Sequence, residues 1–370
     1  MELTPYLRLM VQRNGSDLYF STGAAPHVKI SGQTMAIGDK KLAPGEVSRL
    51  AYSILNDEQI REFERTMECN LAISVQGLGR FRVNVFRQRG DTAMVLRFIK
   101  GQIPSIEELH LPQTLKKLIM AKRGLILVVG STGSGKSTTL ASMIDYRNAN
   151  VTGHILSIED PIEFLHRHKK SVVNQREIGL DSMSYESALK NALREAPDVI
   201  MIGEVRDAAT MQHAISYAET GHLCLTTLHA NNANQALDRI INFFPDSAHK
   251  QILNDLSMNL RAVVSQRLIS STDGNRRAAV EMLIQSAYTA ELIQKGKIHD
   301  LKEAMEQGKE HGMVTFDQSL YELYVEGAIT LDEALSHADS RNNLALRIRL
   351  NAPPPASQGA SEQDAAVISR

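Results

Sequence analysis

Nine consecutive residues, Gly130-Ser131-Thr132-Gly133-Ser134-Gly135-Lys136-Ser137-Thr138, combine three glycines, five hydroxyl side chains and one lysine. Their spacing, Gly-x-x-x-x-Gly-Lys-Ser, suits a polyphosphate. Glycines let successive backbone N–H groups turn onto one anion, Lys136 adds a mobile positive charge for the β- and γ-phosphates of ATP, and the Ser137 hydroxyl is a ligand for Mg²⁺. The apolar run at 125–129 reads as a strand buried on both faces. A helix expected from about Ser134 would turn its positive N-terminal end toward the same anion.

Four short apolar runs, 125–129, 154–158, 199–202 and 223–227, read as strands of a doubly wound sheet, and ligands of such sheets bind beyond the carboxyl ends of the strands. The residues after those runs are Lys136 and Ser137, then Glu159, Asp160 and Glu163, then Glu204, then His229, with His222 just ahead of the last run. Phosphoryl transfer to water needs charge neutralisation, a held Mg²⁺ and a water aimed at the γ-phosphate. Glu204, closing DVIMIGEVRD, suits the Mg²⁺ hydration shell. Glu163, in IEDPIEF after Pro161, suits orienting or deprotonating the water. Asp160 is a further metal candidate or a cap for the turn at Pro161. Acids at strand ends are also commonplace solvated loop residues, and periodicity does not separate Glu163 from Glu159. His222 and His229 bracket LCLTT, where a neutral imidazole could report a γ-phosphate. Together with Cys224 they match no common zinc spacing.

Arginines raise a separate possibility. In RFRVNVF, Phe81, Val83 and Val85 share one strand face, which puts Arg80 and Arg82 on the other, while Arg97 lies between Val95 and Ile99. A solvated sheet surface accounts for them; so does reaching a nucleotide on a neighbouring subunit, where arginine stabilises transition-state charge.

The elements that must position these groups follow the punctuation of the chain. Leu3, Leu7, Met10 and Val11 have helical spacing, short strands alternate with Gly and Pro breakers up to about residue 33, a helical segment covers 44–68, and three alternating strands fill the stretch to 99. Residues 1–99 are thus expected to form an α+β domain, 100–112 a linker, 113–270 an α/β core, 271–350 a helical region and 351–370 a disordered tail. With 370 residues and 43% hydrophobic content the chain can bury sizeable cores. Its 41 basic and 42 acidic residues do not advertise a polyanionic partner. Two cysteines make no disulfide framework, and no apolar run approaches a membrane span, so a reducing, cytoplasmic setting is expected, with membrane association only through partners.

The segments NGSDLYFSTGAAPHVKISG, GSTGSGKSTT, IEDPIEFLHRHKKSVVNQREIG, GEVRD and TGHLCLTTLHANNANQALDRIINFFP, in that order, resemble the type II/IV secretion ATPases, and most closely their PilT/PilU branch of type IV pilus retraction motors. The resemblance runs from about residue 1 to 350. It implies a PAS-like N-terminal domain, a RecA-like core and a helical C-terminal region, assembled as a cytoplasmic hexameric ring under an inner-membrane platform protein. By motif position it implies phosphate binding by Lys136, a catalytic glutamate at Glu163, a Walker-B acid at Glu204, His-box residues at His222 and His229, and intersubunit arginines at Arg82 and Arg97. Extension ATPases of the family carry a four-cysteine zinc module and a long N-terminal extension that this sequence lacks, which favours retraction. The C-terminal region is closer to the PilU side, with AYTAELIQKG in place of an AIRxLIRE-type stretch, and that raises dependence on a paralogous retraction ATPase. Two other readings share the phosphate loop: a DNA translocase or helicase, which the near-neutral charge argues against, and a nucleotide-gated scaffold with little hydrolysis, which the acids at 163 and 204 argue against.

Overall fold

Polar and apolar residues alternate through most of the first hundred positions and give way after residue 124 to runs apolar on both faces; the two patterns build two different sheets. The computed structural model describes residues 2–99 and 101–351, and the chain divides into two compact units. One holds the described residues up to Ile103 together with Asp160–Arg167 and Arg176–Ser184; the other holds Pro104–Glu159, His168–Gln175 and the chain from Tyr185 on. The tail expected at 351–370 lies, from residue 352, outside the described residues.

In the first unit, strands β1 (Gly15–Ser21), β2 (His27–Ile30), β3 (Gln33–Ala36), β4 (Glu68–Val75), β5 (Gly79–Gln88) and β6 (Asp91–Ile99) form an antiparallel sheet in the order β3-β2-β1-β6-β5-β4. Its inner face buries Leu18, Phe20, Phe81, Val83, Val85, Met94 and Leu96 against Leu7 and Met10 of the helix Thr4–Gln12, Leu50 of Glu46–Tyr52 and Phe63 of Asp57–Thr66. Each such side chain contributes about 1.5–3 kcal/mol on removal from water. The stretch 44–68, expected as one helical segment, is two helices. Asn56 starts the second, accepting the Gln59 N–H at 2.8 Å while the Gln59 side chain returns to the Asn56 N–H. Because side chains alternate, the outer face receives a polar set: Lys29, Asp17, Arg97 and Arg82 stand in register across β2, β1, β6 and β5, with Ala72 next on β4.

The second unit is built on a mixed sheet of β7 (Gly124–Val129), β8 (Gly153–Glu159), β9 (Ser171–Glu177), β10 (Val199–Ile202), β11 (Leu223–Leu228), β12 (Leu260–Ser270) and β13 (Arg276–Ile284), ordered β13-β12-β7-β11-β10-β8-β9. β12, β7, β11, β10 and β8 run parallel, and β13 pairs antiparallel with β12. All six residues of β7 and of β11 are buried, as helix-covered parallel strands require. The four expected strands are present. The segment expected as helical from 271 instead opens with β13, whose pairing with β12 overrides the weak strand preference of RRAAV. Helices then follow at Ala287–Gln294, Leu301–Gln307, Phe316–Val325, Leu331–Ser336 and Arg341–Asn351.

Candidate functional site

β7 ends at Val129 and the helix Lys136–Asn150 begins at Lys136, two residues later than expected, with Gly135 left-handed (φ 94°) at its N-cap. Between them the chain wraps tightly. A Cβ on Gly130 would overlap the Ser134 hydroxyl and stand 2.7 Å from the Gln266 carbonyl oxygen, so only glycine fits. Lys136 is 8% exposed; its ammonium donates to the carbonyls of Gly130 at 2.9 Å and Ser131 at 2.8 Å. Burial lowers its pKa, and the nearby Glu204 carboxylate opposes that shift. Ser134 Oγ is buried with no hydrogen-bond partner, whereas Ser131, Thr132, Gly133 and Ser137 are exposed. Thr139, one turn into the helix, is tied to β12 by Gln266 Nε2 at 2.8 Å.

Glu204 follows β10 at the same carboxyl edge. One of its oxygens takes Arg206 Nε at 2.8 Å and the other lies 3.1 Å from His229 Nε2, just beyond β11. Glu204 and His229 are thereby brought together. A cleft of about 650 Å³ beside them is lined by Gly130, Ser131, His229, Asn231, Asp238 and Arg239. His222 is not part of this group. It precedes β11, its carbonyl accepts the N–H of Gly124 at the start of β7, and its Nδ1 lies 3.1 Å from Thr220 Oγ1, which puts it at the amino edge of the parallel sheet. A six-residue strand spans about 20 Å, so bracketing a strand separates two histidines rather than joining them.

Glu163, Asp160, Arg82 and Arg97 belong to the first unit. Asp160 and Glu163 are exposed on the segment Asp160–Arg167. The Ile162 N–H of that segment donates to Glu177 Oε2 at 3.3 Å. Glu177 is buried, which raises its pKa, and the positive charges of Arg82 and Arg80 hold it back. Arg97 donates through Nε to Asp17 Oδ1 at 2.7 Å; that bond, with a smaller contribution from Glu163, raises the arginine's pKa further.

The sequence from residue 10 to 344 matches the family model of type II/IV secretion system proteins. The chain belongs to this family. Among its curated relatives, the type IV pilus ATPase PilU of Pseudomonas aeruginosa is 55% identical over 95% of the chain and 92% of that protein, and the retraction ATPase PilT of the same organism is 40% identical over 93% and 100%. A crystal structure of the pilus retraction motor PilT with bound ADP superposes with a TM-score of 0.87 at 40% identity, covering 93% of this chain and 98% of that one. The mixed α/β fold is that of these secretion ATPases.

Two acids beside the candidate residues escaped the sequence reading. Asp17 and Glu177 are acids whose partners lie 80 and about 95 residues away in sequence, visible only once strands are registered. Glu159, at the end of β8, is buried and takes Ser157 Oγ at 2.7 Å and Gln175 Nε2 at 3.1 Å, whereas Glu163 is exposed. Among the described residues no helix is long and apolar enough to cross a membrane.

Proposed function

We propose that this chain is an ATP-hydrolysing motor of a type IV pilus machine, which retracts the pilus as a homohexamer and acts beside a paralogous retraction ATPase. In this reading the ring is cytoplasmic and held at the inner membrane by a platform protein. The first unit is a PAS-like domain, and the second a RecA-like core, 113–270, continuing into the C-terminal region 271–350. The observation that carries it is the buried Lys136 ammonium in its glycine-rich loop, on the same sheet edge as the Glu204–His229 pair. The near end-to-end match to PilU supplies the pilus context.

The residues divide the work. Residues 130–138 wrap the phosphates through backbone N–H groups, and Lys136 exchanges its carbonyl partners for phosphate oxygens. An exposed hydroxyl at Ser137 with no partner among the described residues is the kind of hard oxygen donor that Mg²⁺ takes, the carboxylate of Glu204 would hold its hydration shell, and Asp160 is a further candidate. Bound with ATP, Mg²⁺ neutralises charge on the transferring phosphoryl group. Glu163 orients the attacking water and accepts its proton. His229, 3.1 Å from Glu204, reads the terminal phosphate, and Arg82 and Arg97 act on the nucleotide of a neighbouring copy.

In cells whose own copy is replaced by Lys136→Ala, pili are expected to form and to withdraw less well, with twitching motility reduced to that of the deletion strain. Wild-type motility from Lys136→Ala would overturn the reading.

A further inference from the structure

Arg97 and Arg82 are direct cross-strand partners on β6 and β5, where side chains stand about 5 Å apart and like charges destabilise a sheet. On the β1 side the row continues with Asp17, which stands opposite Arg97 on β6 and opposite Lys29 on β2, while its ion pair and hydrogen bond are to Arg97 and Ser16. Asp17 is 3% exposed, with Oδ1 accepting Arg97 Nε at 2.7 Å and Oδ2 accepting the Ser16 hydroxyl at 2.8 Å. The arginine it holds is 67% exposed. Only Nε is engaged among the described residues, so the terminal nitrogens, which carry most of the guanidinium N–H groups, are left for another acceptor.

A salt bridge made for stability alone would be worth little with one partner so exposed. An acid sunk in a sheet, gripping the stem side of an exposed guanidinium, instead fixes the plane and direction of its fork. We propose that Asp17 is the positioning residue for Arg97: it locks the guanidinium through Nε so that the terminal nitrogens project from the sheet toward a polyphosphate held by a neighbouring copy. The assignment rests on the reading of Arg97 as an arginine acting between subunits. The Asp17 charge also offsets the repulsion between Arg97 and its cross-strand neighbour Arg82.

The experiment is a double-mutant cycle in steady-state ATP hydrolysis by the full chain, with Asp17→Asn, Arg97→Ala and the pair, reading kcat and KM separately. Arg97→Ala is expected to lower kcat at least 100-fold. Asp17→Asn, nearly isosteric but uncharged, is expected to lower kcat about tenfold with KM for ATP within about twofold, and to cause no further loss in the Arg97→Ala background. Asp17→Ala, which removes the acceptor without adding a donor, is read the same way and covers the case in which a buried amide disturbs the fold. If both Asp17 variants keep wild-type kcat while Arg97→Ala is inactive, positioning is overturned and the reading of Arg97 stands. A loss that persists in the Arg97→Ala background overturns it too, because Asp17 would then act on the fold. Wild-type kcat in Arg97→Ala removes the underlying reading itself.

Discussion

Lys136 sits where burial disfavours its charge, with two loop carbonyls and the field of Glu204 in compensation. Phosphate oxygens are stronger acceptors than carbonyls, so a polyphosphate bound here would compensate the buried charge better than the loop carbonyls do. A second buried charge carries a measurable consequence. Glu281 on β13 is 1% exposed, and accepts the Ala233 N–H at 2.8 Å and the Ser265 hydroxyl at 3.1 Å. Burial, reinforced by Asp339 and opposed by Arg267, pushes its pKa up to about 7 from 4.5. The folded state therefore holds a proton that the unfolded chain releases; the stability contribution is complete below pH 4.5 and is lost as pH rises toward 7. The slope is about 1.4 kcal/mol per pH unit, about 3 kcal/mol in all. Thermal unfolding of Glu281→Gln from pH 5 to 8 should show a shallower fall than wild type; parallel curves would contradict the assignment. At this scale the loop residues were legible because their chemistry is contiguous in sequence. Asp17, Glu177 and Glu281 were not, since each is defined by a partner that only folding supplies.

Strands and helices hold these residues through few contacts, and glycine marks the tightest. At Gly130 an added Cβ meets the Ser134 hydroxyl and the Gln266 carbonyl of β12, so either the loop or the β7–β12 spacing must give. At Gly133 nothing lies within 4 Å, and the obstacle is the left-handed backbone alone, φ 78°. That strain costs on the order of 1 kcal/mol. Gly130→Ala is therefore expected to weaken ATP binding more than tenfold by titration, and Gly133→Ala only a fewfold; the reverse order would refute this account of the loop. The parallel strands were readable because strands covered on both faces must be apolar throughout. β13 was not, because RRAAV becomes a strand only beside β12. His222 was misplaced for a related reason: proximity in sequence across a strand is distance in space.

Across the whole molecule, the candidate residues fall into two sets on two units: Lys136, Ser137, Glu204 and His229 on one, Glu163, Arg82 and Arg97 on the other. Motif order alone carried the family, since the order survives whatever the arrangement of the units. In the proposed reading, arginines on one copy serve the nucleotide of the next, which would make activity a property of the assembly, with dependence on protein concentration as its signature. The most direct measurement is ATP hydrolysis per subunit as protein concentration rises, with Lys136→Ala as the blank. Specific activity that climbs to a plateau, with the blank flat, is the predicted result. A wild type that binds ATP yet matches the blank at every concentration would contradict the account.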